Sequence, residues 1–282
     1  MNQIQKSIID LDLPFGLAHA LSIIEGTYGD VCYYKNKTLT KFGRNLTVGT
    51  SSETLAELQG TTANETFVTT NIIDGISSSS ASDTTQTIVI EGHTIDVSGN
   101  LTFVVQDAIL TGQTKAVLTT PLARANRMYV KRSGTFGNTP AALVGDVHCY
   151  DDTGGISAGV PVVPAATKVM ILAGRVGSEK AATSISSTDY WIITDFSTVV
   201  SDATGPTGYA TVNMEIRDVP NGGAWRHIGR DYIVLPGVSG VERRFDPPVI
   251  IPKNHDWRVV GFCDAGVSAL DADASGYLAT IA

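Results

Sequence analysis

The sequence is poor in charged residues and cysteine and has no long apolar run, and each shortage excludes a class of protein. Charged residues make up 17% of the 282 residues, below the roughly one quarter that is usual. The 3 cysteines are far apart, with neither disulfide-framework nor zinc-ligand spacing, so we expect free thiols in or near β cores. No apolar run of about 18 residues occurs, so no membrane span is expected.

Positive charge is also scarce. The formal net charge is −8 and the sequence pI is about 5.0. The longest basic clusters are the pairs Lys131-Arg132 and Arg243-Arg244, whereas a nucleic-acid-binding domain normally carries a basic stripe. We therefore expect no nucleic-acid partner. The first six residues lack the layout of a signal peptide, so synthesis in a cytoplasm is expected.

No motif for metal binding or catalysis stands out. His148 is the only one of the 5 histidines beside a cysteine, and adjacent strand residues point to opposite faces. Asp271 and Asp273 fall in a predicted loop, and a solvated loop is favoured there over a calcium site. There is no GxSxG elbow, and paired carboxylates for glycoside cleavage cannot be assigned. We expect no enzyme activity, no cofactor and no metal.

The three tryptophans Trp191, Trp225 and Trp257 all fall in strand patterns. A carbohydrate-binding role is one interpretation of such residues. Packing in a core or an interface is favoured, because large aromatic side chains dominate the energetics of both.

Short strand patterns separated by turn residues dominate the chain. Hydrophobic residues make up 43% of it, enough for a core, and such spacing is typical of sandwiches and jelly rolls. Residues 42–45 are predicted as a turn and residues 51–60 as one or two helical turns. The predicted fold is all-β, with two antiparallel β-sandwich or jelly-roll-like domains and an N-terminal arm. The predicted divisions are residues 1–27 (arm), 28–151 (N-terminal β domain), 152–166 (Pro-containing linker) and 167–282 (C-terminal β-sandwich domain).

A hairpin over residues 209–235 gives the clearest strand signal. Apolar and polar residues alternate along residues 211–217, which predicts one buried and one solvated face. Asn221-Gly222 suits a tight type I′ turn. The side chains predicted to be buried are Val212, Met214, Ile216, Tyr232 and Val234.

The N-terminal arm is apolar and lacks strand alternation. Its pattern suits either a short helix or an extended segment laid over a partner. Packing of the arm on its own domain is the competing interpretation. The candidate contacts with a capsid or a neighbouring subunit are Leu11, Leu13, Phe15, Leu17, Leu21 and Ile24.

Three stretches together resemble structural proteins of tailed bacteriophage particles. The resemblance covers most of residues 40–282. Its three stretches are KFGRN at 41–45 with VGT at 48–50 and ET at 53–54; DT at 83–84, IVIEG at 88–92 and GQ at 112–113 with LTTPLARANR at 118–127; and PPVIIPK at 247–253 with the strand at 257–262.

The resemblance implies an all-β virion protein without catalytic residues. Within that class we favour a capsid decoration (cement) protein, displayed on the particle exterior as a homotrimer bound to the major capsid protein. A tail, fibre or receptor-binding component is the alternative. A polysaccharide-binding or polysaccharide-depolymerising β-sandwich protein is a third interpretation.

Overall fold

The computed structural model describes residues 32–60, 65–131, 143–200, 208–235, 239–264 and 266–281. Within these ranges, the one helical element is a 3-10 turn at Pro164–Ala166, and none of the described helices could span a membrane. The strands are β1 (Cys32–Val48), β2 (Glu53–Thr54), β3 (Ile73–Ser78), β4 (Thr87–Ile95), β5 (Leu101–Ile109), β6 (Ala116–Leu122), β7 (Arg124–Val130), β8 (Val147–Asp151), β9 (Ile156–Ser157), β10 (Val160–Pro161), β11 (Thr167–Ile171), β12 (Ala182–Ser184), β13 (Asp189–Val200), β14 (Gly208–Asp218), β15 (Arg226–Leu235), β16 (Ser239–Ile251), β17 (His255–Cys263) and β18 (Ser268–Ile281).

The strands between β3 and β11 form one sandwich, which we call the inner sandwich. One sheet has the order β11-β8-β3-β6 and the other β5-β4-β7, and all of their pairings are antiparallel. Alternate residues of both sheets supply one apolar cluster, because successive strand residues point to opposite faces. Its fully buried members include Ile76, Ile88, Ile90, Met128, Val147 and Val169.

The remaining long strands form a second sandwich, which we call the outer sandwich. The sheet β1-β18-β13-β16 faces the sheet β12-β17-β14-β15, to which β2 adds through β17. Trp191 and Trp257 come from opposite sheets and meet edge to face, with ring centroids 4.8 Å apart. Both tryptophans are fully buried, which confirms the prediction of core packing for this pair. The all-β, antiparallel fold class is also confirmed.

The chain enters the outer sandwich, leaves it, and returns. β1 pairs with β18 and β2 pairs with β17, so the inner sandwich is inserted between β2 and β12. This pairing differs from the predicted grouping of residues 28–151. β11, at the start of the predicted C-terminal domain, pairs with β8 of the inner sandwich. A division into independent domains with a linker at 152–166 stays a prediction.

Two local predictions between residues 42 and 60 are wrong. Residues 42–45 lie within β1, where Gly43 passes so close to the backbone of Leu55 and Ala181 that a Cβ atom would lie 2.0 Å from the Leu55 oxygen. Glycine therefore serves close packing of the chain here. Residues 51–60 are extended, since β2 pairs with β17 and Ala56 bridges to Lys180. Tertiary pairing overrides the local helical signal.

The hairpin of β14 and β15 confirms three of the five side chains predicted to be buried. Val212, Met214 and Ile216 are buried, but Tyr232 and Val234 are 59% and 75% exposed. A register shift between Met214 and Glu215 accompanies the opposite phase of the second strand. Ile233 faces the core opposite Ala210. The prediction for Tyr232 and Val234 was wrong because residues 232–235 are all apolar, so alternation does not show which face of this strand is buried.

The turn of this hairpin is a loop over residues 219–225. Gly222 has φ 59°, whereas the described non-glycine residues with positive φ are Ala158 and Asn254. Asn221 therefore lacks the positive φ that a type I′ turn requires, and the predicted turn type is wrong. The Asn221 amide instead donates to the Asp218 carboxylate at 2.7 Å.

Ile216→Ala should lower the free energy of unfolding by about 2–5 kcal/mol, because it removes buried methyl groups and leaves a cavity. Val234→Ala is the matched control on the paired strand. Its exposed position predicts a change within about 0.5 kcal/mol. Denaturant unfolding followed by tryptophan fluorescence measures both variants. Equal losses in the two would contradict the register.

Candidate functional site between the sandwiches

The junction of the two sandwiches is centred on one buried carboxylate. Asp256 lies on β17 between β12 and β14, where its strand neighbours in register are Ser184 and Arg217. Both donate hydrogen bonds to it. From the inner sandwich, Arg124 of β7 donates through Nε at 2.8 Å and Nη2 at 3.0 Å. A bidentate contact of this kind fixes orientation as well as charge.

The Asp256 carboxyl is held in its ionised form. Burial alone would raise its pKa, but the guanidinium groups of Arg124 and Arg217 and the hydrogen bond from Ser184 outweigh burial, so the pKa lies below its ordinary value. The Arg124 and Asp256 side chains are both almost fully buried. The pair is costly to desolvate, and removal of either partner would leave a buried charge.

An aromatic and guanidinium stack covers this ion pair. Phe67 and Trp225 have ring centroids 5.1 Å apart. Arg124 and Arg217 each lie 5.2 Å from the centre of the Phe67 ring, and Arg258 lies 4.0 Å from that of Trp225. Cation–π contacts of this kind gain strength as water is excluded. Trp225, the third tryptophan, therefore packs at the junction of the two sandwiches.

A cavity of about 510 Å³ also lies between the sandwiches. Polar and apolar side chains both line it. They come from β1, β12, β13 and β18 of the outer sandwich, from β4, β5 and β7 of the inner one, and from the segments on either side of β12. The lining residues are Thr38, Leu39, Thr40, Lys41, Phe42, Glu91, His93, Phe103, Asn126, Arg127, Ser178, Lys180, Thr183, Ser184, Ile185, Ser186, Asp189 and Leu278.

Lys41 is a buried amine of this cavity with a strongly lowered pKa. Its side chain lies on the same face of β1 as Leu39 and is 5% exposed. Its Nζ donates to the backbone oxygen of Asn126 at 3.3 Å. Burial, assisted by the positive charge of Lys180, lowers the pKa of Lys41 to about 7. The amino group therefore gains or loses its proton near neutral pH.

In Lys180, in contrast, all three hydrogen-bond donors of the side-chain ammonium group have acceptors. Its Nζ is paired with Glu65 and donates to the backbone oxygens of Ala125 at 2.7 Å and Lys168 at 2.9 Å. Three partners use the three protons of an ammonium group. Lys180 thus joins the sandwiches structurally and leaves Lys41 as the less satisfied amine.

His93 forms the back of the cavity with Asn126. The Asn126 amide donates to Nδ1 of His93 at 2.9 Å, which places the imidazole proton on Nε2. Burial lowers the pKa of His93 to about 3, so the ring is neutral at physiological pH. Phe103 packs edge-on against it, with ring centroids 5.4 Å apart.

The acidic and metal candidates of the sequence lie elsewhere. Asp271 and Asp273 stand on β18 and are part-buried, so the predicted loop is wrong, and Asp271 pairs with Arg44 at 3.2 Å. Within the described ranges, no group of three or more metal-ligating side chains comes together. His148 and Cys149 are buried in β8, where burial lowers the pKa of His148 to about 4 and raises that of Cys149 to about 12.

The candidate arm contacts lie outside the described residues. Their role therefore stays a prediction. They are Leu11, Leu13, Phe15, Leu17, Leu21 and Ile24.

The residues of the junction were not predicted from the sequence. Arg124 interrupts an apolar stretch between Leu122 and Ala125, and Lys41 and Asp256 sit within strand patterns. A charged side chain inside an otherwise apolar strand indicates that it is buried and has a partner of opposite charge or a hydrogen-bond partner. The partner lies 85 residues away in the chain for Lys41, and Arg124 and Asp256 lie 132 residues apart, so the signal does not identify the partner.

Comparisons with known proteins give only distant similarities. No protein-family model and no curated protein matches the chain. A structure of the infectious bursal disease virus Gt strain shares 11% identity and a TM-score of 0.23, covering 90% of this chain and 74% of that one. The crystal structure of the T13 particle of the same virus gives 11% and 0.23, covering 100% and 78%. At such values the likeness carries no argument about function.

Asp256→Ala should lower the free energy of unfolding by about 3–5 kcal/mol, because it leaves the Arg124 guanidinium buried without its carboxylate. Lys131→Ala is the control, since it breaks the exposed ion pair with Asp107 and should cost at most about 1 kcal/mol. Chemical denaturation measures both. Equal, small effects would contradict a structural role for the buried pair.

The same carboxylate predicts an acid dependence. Its pKa is lower in the folded than in the unfolded chain, so its stabilisation is fully present above about pH 4 and is lost as the pH falls through the folded-state pKa. Unfolding free energies measured between about pH 3 and 6 should fall less steeply in Asp256→Ala than in the parent chain. Parallel curves would rule out this contribution.

Proposed function

We propose that this protein is a non-enzymatic structural component of a tailed-bacteriophage virion, and specifically a capsid decoration protein. In this proposal it binds the outside of the assembled shell as a homotrimer or similar closed oligomer and bridges subunits of the major capsid protein. The resemblance of residues 40–282 to phage particle proteins supports the class. The surface of the two sandwiches supports the binding role.

The observation that carries the proposal is the exposed apolar surface on strands at sheet edges. β5 ends one sheet of the inner sandwich, and on its outer face Val105 and Ile109 are 53% and 61% exposed. Val117 of β6, at the edge of the facing sheet, is also exposed. Edge strands with apolar side chains invite contact with another chain.

A second such surface lies on the outer sandwich. β15 ends its sheet, and the exposed Tyr232 and Val234 lie on it beside Tyr209 of β14. The two tyrosine rings meet edge to face, with centroids 6.0 Å apart. Tyrosine is enriched in protein interfaces because one ring offers apolar area and a hydroxyl. Two separate surfaces suit a protein that joins a shell subunit and a second copy of itself.

The junction between the sandwiches suits a bridging role. Arg124–Asp256 and Lys180–Glu65 are buried ion pairs within or beside it. Charged pairs with defined geometry fix one relative placement of the elements they connect. A decoration protein that braces a shell benefits from such a fixed placement.

Capsid binding tests the proposal directly. Shells lacking this protein should capture the parent chain on sedimentation, and Val105→Lys with Ile109→Lys should weaken capture at least tenfold. Val97→Lys is the matched control, since Val97 is fully exposed in a turn outside both apolar surfaces. A parent chain that never sediments with shells, and instead degrades a host polysaccharide, would overturn the proposal in favour of an enzyme.

The arm supplies a separate prediction. Deletion of residues 1–26 should leave the described strands folded, with an unchanged circular dichroism spectrum, yet abolish capture by shells. Four buried apolar side chains at about 1.5–3 kcal/mol each would exceed the ordering cost of a short segment. Unchanged affinity of the truncated chain would show that the arm packs elsewhere.

A further inference from the structure

We propose that the cavity between the sandwiches binds a small hydroxylated carboxylate, of the class of an acidic monosaccharide, with Lys41 receiving the carboxylate. This inference rests on the cavity alone and goes beyond the proposed virion role. It assigns a ligand class to a site that the decoration function does not use.

The cavity has the size and chemistry for one sugar ring. Its volume of about 510 Å³ lies within the range of roughly 300–1,000 Å³ typical of small-molecule sites. The almost fully buried residues Thr183, Ser184 and Ser186 line it. The Ser184 and Ser186 hydroxyls donate to Asp256 and Asp189, and their oxygens can still accept a hydrogen bond. Hydroxyls both donate and accept hydrogen bonds, which matches a polyhydroxylated ligand.

Lys41 supplies the preference for a carboxylate. An ammonium group has three donors, and the one hydrogen bond of Lys41 among the described residues goes to the Asn126 backbone oxygen. The neighbouring Lys180 has its donors occupied by Glu65 and two backbone oxygens. A ligand carboxylate at Lys41 would supply a further acceptor and would add to the negative charge of Glu91 and Glu65 near the amine.

The acidic residues of the cavity are already engaged. Asp189 accepts hydrogen bonds from Ser186 at 2.7 Å and from Thr280. Glu91 accepts a hydrogen bond from the Tyr129 hydroxyl. These bonds reduce the capacity of either carboxylate to neutralise Lys41, which leaves that role to a ligand.

Two aromatic side chains supply an apolar wall. Phe42 of β1 and Phe103 of β5 both line the cavity and remain part-exposed. They come from different sandwiches, so the wall exists only in the assembled junction. Aromatic faces pack well against the apolar C–H face of a sugar ring, and pockets commonly combine such walls with a few oriented polar groups.

The charges facing Lys41 set the expected pH dependence. Glu91 and His93 face it from β4 and Arg127 from β7, with Lys180, Glu65 and Asp189 nearby. Burial keeps His93 neutral and lowers the pKa of Lys180 as well as that of Lys41. Lys41 is the amine that has only one acceptor among the described residues. A carboxylate binds the protonated amine, so affinity should be greatest below pH 7 and should fall up to about tenfold per pH unit above it.

The test is isothermal titration of the full chain with sodium glucuronate at pH 6 and pH 8, with glucose as the uncharged probe. We expect glucuronate to bind more tightly at pH 6 and glucose to bind at least tenfold more weakly than glucuronate. Lys41→Met should reduce glucuronate affinity at least tenfold. Lys131→Met, which removes an exposed lysine paired with Asp107 outside the cavity, should leave it unchanged.

A second variant keeps the test decisive if Lys41→Met fails to fold. Phe103→Ala at the part-exposed wall should weaken glucuronate binding while the melting temperature is maintained. Absence of glucuronate binding to the folded parent chain, equal affinity for glucose, or equal affinity at pH 6 and pH 8 would each overturn the proposal. None of these results bears on capsid capture, so the two proposals fail independently.

Discussion

The charge of Asp256 is the constraint on which the arrangement of the two sandwiches depends. A carboxylate this deeply buried requires compensation, and it receives it from both sides of the junction: Arg217 and Ser184 from its own sheet, Arg124 from the other sandwich. An apolar contact would tolerate sliding or rotation, whereas a bidentate ion pair does not. The position of the inner sandwich therefore depends on satisfying this acid, together with the contacts of Lys180 to Ala125 and Lys168.

The polar face of β14 is not solvated, because its side chains have partners on the adjacent strands. Alternation along residues 211–217 correctly indicates a strand with an apolar and a polar face, but Asn213 and Glu215 are buried. They are matched by Arg230 and Arg258 from the adjacent strands. Polarity in the sequence therefore marks a face that needs partners, which water or other side chains can supply.

The fold class and most strands could be predicted because period-2 patterns are local. Alternation along the strand correctly predicts that Val212, Met214 and Ile216 are buried. The exposure of Tyr232 and Val234 could not be predicted in this way, because residues 232–235 are apolar on both faces of the strand. The junction could not be predicted for a related reason. The sequence indicates that Arg124 and Asp256 are each buried charges, but their pairing is a property of the tertiary structure. Lys41 likewise acquires its lowered pKa only from neighbours in other strands.

The insertion of one sandwich within the other has a consequence for biosynthesis. Strands β3 to β11 find all their sheet partners within a continuous segment and can pair as soon as that segment has left the ribosome. β1 must wait, because its partner β18 is the final strand described. During that interval a long edge with unpaired backbone groups is exposed, a situation that slows folding and invites association with other chains. Cells that make this protein in quantity would therefore benefit from a chaperone, or from another chain, that shields β1 until translation ends.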